Sequence, residues 1–250
     1  MGILLFLLRA TGVATLILFG LLSVVLVFPL ASLRVRSAMN QYWSRVLMAL
    51  CGVKVRVRGE PIGEGAVLWV VNHVSWVDIF VLNSIRPTAF VAKSEIRRWP
   101  LIGWLAVGAG TVFLQRGNRN AIRAVAEQMK HRFAQGEVVG LFPEGTTSSG
   151  FDVGPFHSSL FDAAIRAHVD IQPVALRFFH RGRRSDYAAF VGEQNLMQNL
   201  WCLLGTTGVE VELVFLAMMP SEACEQAGRS HVAARAHHLV RQAVVKKDDQ

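Results

Sequence analysis

Ala66-Val67-Leu68-Trp69-Val70-Val71-Asn72-His73-Val74-Ser75-Trp76-Val77-Asp78 runs from an apolar stretch into a histidine followed five positions later by an aspartate. The apolar part has the length and unbroken character of a strand buried on both faces, as in a parallel sheet. His73 then falls at the C-terminal end of that strand, where α/β folds usually carry their chemistry. An imidazole of near-neutral pKa can take a proton from a hydroxyl, and a carboxylate beside it fixes its tautomer and stabilises the imidazolium. Alone, the spacing is a weak signal, since chance produces many such pairs. Ser75 lies between the two residues, but no Gly-x-Ser-x-Gly elbow surrounds it, so it reads as a helix-start residue.

Working outward, Val53, Val55 and Val57 alternate with Lys54, Arg56 and Arg58, the pattern of a half-buried edge strand. Thr88 to Ala92, Thr111 to Leu114 and Val138 to Phe142 read as further strands. So do Ile171 to Arg177, Tyr187 to Val191 and the alternating Val209, Val211, Leu213 and Phe215. Between them, Ile122, Val125, Met129 and Phe133 recur at helical spacing before Gly136, and Val232, Ala236, Leu239 and Ala243 repeat the rule. Glu193 to Leu204 is expected to be helical. Strands interleaved with helices make the class α/β, with a mixed sheet flanked by helices. A chain of 250 residues fits one such domain.

The N-terminal stretch is different. From Thr11 to Leu33 there is no charged residue, and at about 1.5 Å per residue this is long enough for a hydrocarbon core of about 30 Å. A cleaved signal peptide would carry its positive charge ahead of the run and small residues at its end. Only Arg9 precedes it, whereas Arg34, Arg36 and Arg45 follow, which favours an uncleaved anchor with the remainder in the cytoplasm. A buried core helix is the third reading. The segment Tyr42 to Val53 can return as a second, amphipathic helix, making a two-helix motif. The expected division is therefore 1–52 as a membrane-anchoring segment and 53–250 as the catalytic domain. Trp99 and Trp104, beside Arg97 and Arg98, fit either core packing or an interfacial belt.

The net charge of +8 and a pI of 10.1 invite a nucleic-acid reading. The basic residues are thinly spread, however, with their densest cluster at His180-Arg181-Gly182-Arg183-Arg184, and no nucleic-acid motif accompanies them. Anionic headgroups, a polyanionic coenzyme or an acidic carrier protein suit the charge better. Cys51, Cys202 and Cys224 are too few and too far apart for a disulfide framework or a thiolate metal site. No metal or cofactor is expected.

Four polar clusters follow apolar strands in succession: Asn72 to Asp78, Lys93 to Glu95, Gly110 to Arg116, and Phe142 to Ser148. Strand ends of one sheet converge, so together they offer a base, its orienting acid, two cations and a glycine-bearing turn. That set suits transfer of a group to a hydroxyl on an anionic acceptor. His73-x4-Asp78, Gly110-Thr111-Val112-Phe113-Leu114-Gln115-Arg116, Phe142-Pro143-Glu144-Gly145-Thr146 and Ile171-Gln172-Pro173-Val174 resemble, in order, the four blocks of the glycerolipid acyltransferases. Within that family they are most similar to the bacterial 1-acylglycerol-3-phosphate O-acyltransferases, over roughly Val53 to Phe215.

The resemblance implies a glycerolipid-acyltransferase-like domain held by an N-terminal helical motif on the cytoplasmic face of the bacterial inner membrane. It implies transfer of a fatty acyl group from acyl-CoA or acyl carrier protein to the sn-2 hydroxyl of 1-acyl-sn-glycerol-3-phosphate, giving phosphatidic acid. It makes His73 the general base and Asp78 its partner, with no acyl-enzyme. Lys93 and Arg116 would hold the acceptor phosphate, and Glu144, Gly145, Thr146 and Thr147 would form the acceptor-side turn. Asn72 would lend a hydrogen bond, and the Pro173 block would be structural. Two departures bear on the acceptor. Thr147 stands where many members carry an arginine, and Gln115 stands where an acid is frequent. Lyso-ornithine lipid acyltransferases share the general pattern, so a zwitterionic acceptor is an alternative. A thioester or ester hydrolase and a non-catalytic lipid-binding protein are the remaining readings.

Overall fold

The computed structural model describes residues 2–115 and 119–246. Its centre is an eight-stranded sheet made of β1 (Val53–Arg58), β2 (Val67–Val71), β3 (Thr88–Lys93), β4 (Val112–Leu114), β5 (Val138–Leu141), β6 (Ile171–His180), β7 (Arg183–Arg184) and β8 (Val209–Phe215). The order is β1-β8-β6-β2-β5-β3-β4, with β7 pairing to β6. From β6 to β4 every pairing is parallel, and β8 runs antiparallel to β6, so the sheet is mixed. The alternating Val53–Arg58 strand lies at the edge, paired only with β8.

Strand β2 is buried at every position, which its apolar run requires. Because side chains alternate across a strand, Val67, Trp69 and Val71 face one apolar layer and Leu68 and Val70 the other. The first layer includes α2 (Leu33–Leu50), α3 (Val77–Ile85) and α7 (Leu196–Leu204). The second includes α5 (Arg119–Ala134), α6 (Phe161–Arg166), α8 (Ser221–Ala227) and α9 (Arg229–Val245). In α5 the expected stripe is the one buried: Val125, Met129 and Phe133 lie in the core.

Proline in a central strand normally breaks a ladder bond. At Pro173 the ladder is already interrupted. Regular pairing of β6 with β8 begins at Val174↔Phe215; before it, the Pro173 carbonyl accepts from Leu216 N–H (3.0 Å), and Ile171 forms an isolated bridge with Met219.

Two expectations need correction. Tyr187–Val191 is not a strand but a folded loop. Ala189 donates its N–H to the Asp186 carbonyl (2.8 Å) and Phe190 donates to the Val74 carbonyl (2.9 Å), so its backbone groups serve a turn and the His73 segment instead of a neighbouring strand. The second N-terminal helix begins at Leu33 rather than Tyr42, capped by the Ser32 side chain. Arg34 and Arg36 therefore belong to α2.

The apolar N-terminal helix is α1 (Gly2–Leu22), continued by a π-helical turn Ser23–Val27. Gly2–Val27 is long and apolar enough to cross a membrane. Pro29 lies in the turn that ends it. One stripe of α1 is seated on the rest of the chain from end to end. Phe6 packs against Trp201 with the rings tilted (4.4 Å, 47°), Arg9 donates to the carbonyls of Leu204 (3.3 Å) and Thr206, and the Leu16 carbonyl accepts from Trp43 Nε1 (3.0 Å). At Gly20 a Cβ would lie 2.9 Å from Trp43 Nε1. At Gly108, in α4 (Ile102–Gly108), a Cβ would lie 2.5 Å from Val24. Both glycines allow this close approach.

Candidate active site

The parallel strands β2, β5, β3 and β4 end along one edge of the sheet, so the first, second and fourth polar clusters, and the third as far as Gln115, begin from one row of strand ends. His73 follows β2, Lys93 closes β3, Gln115 follows β4, and Glu144 follows β5. With strands about 4.8 Å apart, the ends of β2 and β3 are about 10 Å from each other.

His73 and Asp78 are in contact, with Nδ1 to Oδ2 at 2.7 Å. The same Oδ2 accepts the backbone N–H groups of Val74 (2.7 Å) and Ser75 (2.9 Å). An oxygen taking two N–H bonds acts as an acceptor, so Nδ1 of His73 carries the proton toward it and Nε2 is left as the basic nitrogen. Asp78 stands in the first turn of α3, where the helix dipole also favours an anion. Its side chain is 0% exposed while that of His73 is 20% exposed, so solvent and substrate reach the base but not its partner. The imidazole lies flat on Phe142 (4.2 Å, 16°), which in turn stacks on Phe90 (5.5 Å, 7°). Ring orientation is thus set by packing as well as by the carboxylate. Ser75 is fully buried and its hydroxyl makes no hydrogen bond among the described residues, so it does not cap α3; the Asp78 carboxylate instead reaches back to the backbone that precedes the helix.

The His73 backbone is held at both ends. Its N–H donates to Glu144 Oε1 (2.7 Å), and its carbonyl accepts from the N–H (2.8 Å) and the hydroxyl (3.2 Å) of Ser148. The other Glu144 oxygen accepts from Gly154 N–H (2.7 Å). Burial pushes the Glu144 carboxyl above its usual range, and the two N–H donors pull it part of the way back. Glu144 therefore faces inward, tying the base to the Gly150–Phe156 segment. That segment is braced from α9, where His237 Nε2 meets the Val153 carbonyl (3.1 Å) and Arg241 pairs with Asp152 (2.7 Å).

The remaining site residues divide clearly. Asn72 is fully buried with both ends of its amide on Leu176, accepting from its N–H (2.7 Å) and donating to its carbonyl (3.1 Å). It links β2 to β6 behind the base instead of facing a substrate. Thr147 donates its hydroxyl to the Phe190 carbonyl. Gly145 takes a positive φ of 71°, which the reversal after Glu144 requires, and Thr146 is exposed. Lys93 is exposed and makes no ion pair with Glu95, whose carboxylate approaches Ser94 Oγ at 3.5 Å. Arg116 lies outside the described residues. No group of three or more metal-ligating side chains occurs among the described residues.

A family model described as Acyltransferase matches residues 54–177. The lyso-ornithine lipid O-acyltransferase of Pseudomonas aeruginosa PAO1 is 36% identical over 209 residues, covering 84% of this chain and 79% of that protein. This chain belongs to the acyltransferase family. The 1-acyl-sn-glycerol-3-phosphate acyltransferase of Neisseria gonorrhoeae is 33% identical over 192 residues, 76% of this chain and 74% of that one. The crystal structure of the 1-acyl-sn-glycerophosphate acyltransferase from Thermotoga maritima superposes with a TM-score of 0.75 at 22% identity, over 99% of this chain and 98% of the other. The fold is therefore shared along the whole length.

Two supports of this acyltransferase site, and one polar clasp of the sheet behind it, were not visible in its sequence. Glu144 and His73 are 71 positions apart, and nothing local marks their contact. Asn199, fully buried, accepts from Trp76 Nε1 (2.8 Å) and donates to the Ala189 carbonyl (3.0 Å), clasping α7 to the first block. Gln172 accepts from Trp69 Nε1 (3.1 Å) and Ile62 N–H (3.1 Å) and donates to the Glu60 carbonyl (2.8 Å). The one usable signal was the polar residue type inside an apolar strand, which demands a buried partner. A cavity of about 430 Å³ beside Gln172, lined by Pro61, Leu216 and Met218, opens at the opposite end of the sheet from His73.

Proposed function

We propose that this acyltransferase esterifies the free hydroxyl of a membrane lysolipid, using His73 as general base. The observation that carries the reading is the buried, triply bonded Asp78 holding Nδ1 and leaving Nε2 at the accessible edge. Nε2 takes the hydroxyl proton as the oxygen attacks the thioester carbonyl of acyl-CoA or acyl carrier protein. The tetrahedral centre collapses, the C–S bond breaks, and the imidazolium returns the proton to the leaving thiolate. Asp78 stabilises the imidazolium between those events. A base of this kind contributes about 10²–10⁴ in rate.

For the acceptor, lyso-ornithine lipid ranks first and 1-acyl-sn-glycerol-3-phosphate second. The third block, Glu144-Gly145-Thr146-Thr147-Ser148, holds no cation, and the Thr147 hydroxyl is spent on Phe190, so Lys93 and Arg116 are left to meet the headgroup. The P. aeruginosa relative, named for lyso-ornithine lipid, also matches a larger share of the chain than the N. gonorrhoeae relative. The apolar Gly2–Val27 helix would keep the enzyme on the cytoplasmic face of the bacterial inner membrane, beside both acceptors.

Purified enzyme offered each lysolipid with acyl-CoA and, separately, acyl carrier protein tests this. Higher kcat/KM with lyso-ornithine lipid supports the ranking, and the reverse restores the phosphate acceptor. No turnover with any lysolipid, together with release of thiol at full rate without acceptor, would make the enzyme a hydrolase.

A further inference from the structure

A cavity of about 160 Å³, separate from the one beside Gln172, is enclosed by the first turns of α2, the start of β3 and the end of α4. Thr88 on its wall and Val67 of β2 both pair with Val138, so the two are level across the sheet. His73 is six residues beyond Val67, about 20 Å away along the strand direction. The transfer chemistry at His73 does not reach this cavity.

Its lining is polar in an unusual way. Leu33, Arg36, Ser37 and Asn40 stand at helical spacing and present one face of α2 to it. Arg36 is held by its Nε, which donates to the Ala31 carbonyl (3.0 Å). Among the described residues its Nη groups make no hydrogen bond and its charge has no ion pair. Arg132, also on the wall, is neutralised by Glu137, with Nη1 to Oε2 at 2.7 Å. The other Glu137 oxygen, Oε1, is buried and has no hydrogen-bond partner among the described residues. A carboxylate oxygen in that position calls for a donor. Asn40 gives its Nδ2 to Asn83 (3.4 Å), which leaves its Oδ1 as a second acceptor. The lining therefore offers one unpaired cation together with unpaired acceptors, one of them anionic. Two further lining residues are apolar yet open to solvent, Leu33 at 44% and Val107 at 50%. A small polar metabolite gains nothing from them, whereas a headgroup that continues into an acyl chain covers them.

We propose that this cavity binds the headgroup of a lipid that carries both an anionic group and a primary ammonium, of the phosphoethanolamine kind. The Arg36 guanidinium takes the phosphate oxygens, and the ammonium donates to Glu137 Oε1 and Asn40 Oδ1. The acyl chains leave over Leu33 and Val107. A purely anionic headgroup leaves Glu137 Oε1 without a donor, and a quaternary ammonium has no N–H to give it. A lipid held here is too far from His73 to be acylated, so the site is one of retention and not of turnover. The inference goes beyond the choice of acceptor at His73 and does not depend on it.

Full-length protein in a neutral detergent is titrated with dihexanoyl phosphatidylethanolamine, with the phosphatidylglycerol and phosphatidylcholine of the same chains, and with free phosphoethanolamine. The melting temperature reads occupancy, because a ligand of the folded state raises it. Phosphatidylethanolamine should raise it saturably. The other two lipids and free phosphoethanolamine should each need about tenfold more for the same rise, the effect of one lost charge-assisted contact or of uncovered apolar surface. Arg36→Ala should weaken phosphatidylethanolamine binding about tenfold. Glu137→Gln should remove the preference over phosphatidylglycerol. Both variants should keep the wild-type kcat for acyl transfer, whereas His73→Ala should lose transfer and keep the binding, so the two readings fail separately. Glu137→Gln also loses its pair with Arg132 and can lower the melting temperature of the free protein. Arg36→Ala, which breaks no ion pair, then decides the matter. Equal responses to the three lipids, no saturable response, or binding undiminished in Arg36→Ala would overturn the proposal. Free phosphoethanolamine binding as tightly as the lipid would overturn the lipid assignment in favour of a soluble zwitterion.

Discussion

The ends of β2 and β3 share one sheet edge and are built in opposite ways. At β2 the polar groups around the base are committed. Asp78 takes three hydrogen bonds on one oxygen, Glu144 takes one on each, and the His73 backbone is tied through both its N–H and its carbonyl. At β3, Lys93 is exposed and has no ion pair among the described residues. The difference teaches where rigidity is spent. Proton transfer needs the base placed in advance of the substrate, because misplacement lowers the rate directly. Headgroup recognition can assemble around an arriving charge, because a flexible lysine finds its partner on contact. The β2 end should therefore govern kcat and the β3 end KM.

The largest break in that comparison is His73→Ala, expected to lower kcat by about 10²–10⁴ with acceptor KM little changed. Asp78→Asn should come close to it. The amide presents its NH₂ to His73 or to the Val74 and Ser75 N–H groups, which favours the wrong tautomer and also lowers the melting temperature. Steady-state kinetics on variants with wild-type circular dichroism check both. Glu144→Gln is more diagnostic. One N–H keeps its acceptor and the other meets an amide NH₂, a loss of about 1–3 kcal/mol in stability, with kcat falling about tenfold or more. An unchanged kcat with a raised acceptor KM would instead put Glu144 against the acceptor. Lys93→Ala should do what Glu144→Gln does not, raising KM about tenfold with kcat intact, as removal of a charge-assisted hydrogen bond does.

The smallest effect is a pH dependence. Burial holds the Glu144 carboxyl above its unfolded-state value, so its ionisation costs folding stability. The cost is absent below the unfolded pKa and complete once the pH has passed the raised folded one. Relative to Glu144→Gln, the wild type should therefore lose stability as pH rises through the mildly acidic range. Denaturant titrations at several pH values read this directly, and a gap that widens with rising pH would contradict it.

The same contrast explains what the sequence disclosed. Elements whose cause is local were legible: the unbroken apolar run of β2, the alternation of β1, and the period of Val125, Met129 and Phe133 in α5. The His73–Asp78 contact was legible because one helix start spans it. Partners distant in the chain were not. Glu144 read as part of an acceptor-side turn because its two N–H donors come from His73 and Gly154, which the fold alone brings to it. Tyr187–Val191 has strand composition, yet Phe190 is claimed by Val74 and Thr147. Trp99 and Trp104 could be read from sequence as core or as surface, and the fold leaves them 43% and 64% exposed.

The central claim is that the acyl group passes straight from thioester to acceptor hydroxyl under His73. Rapid mixing of enzyme with a labelled acyl thioester in the absence of lysolipid tests it most directly. The account predicts no burst of free thiol and no label on the protein until acceptor is added. A burst equal to the enzyme concentration, with the acyl group bound to a side chain, would contradict it.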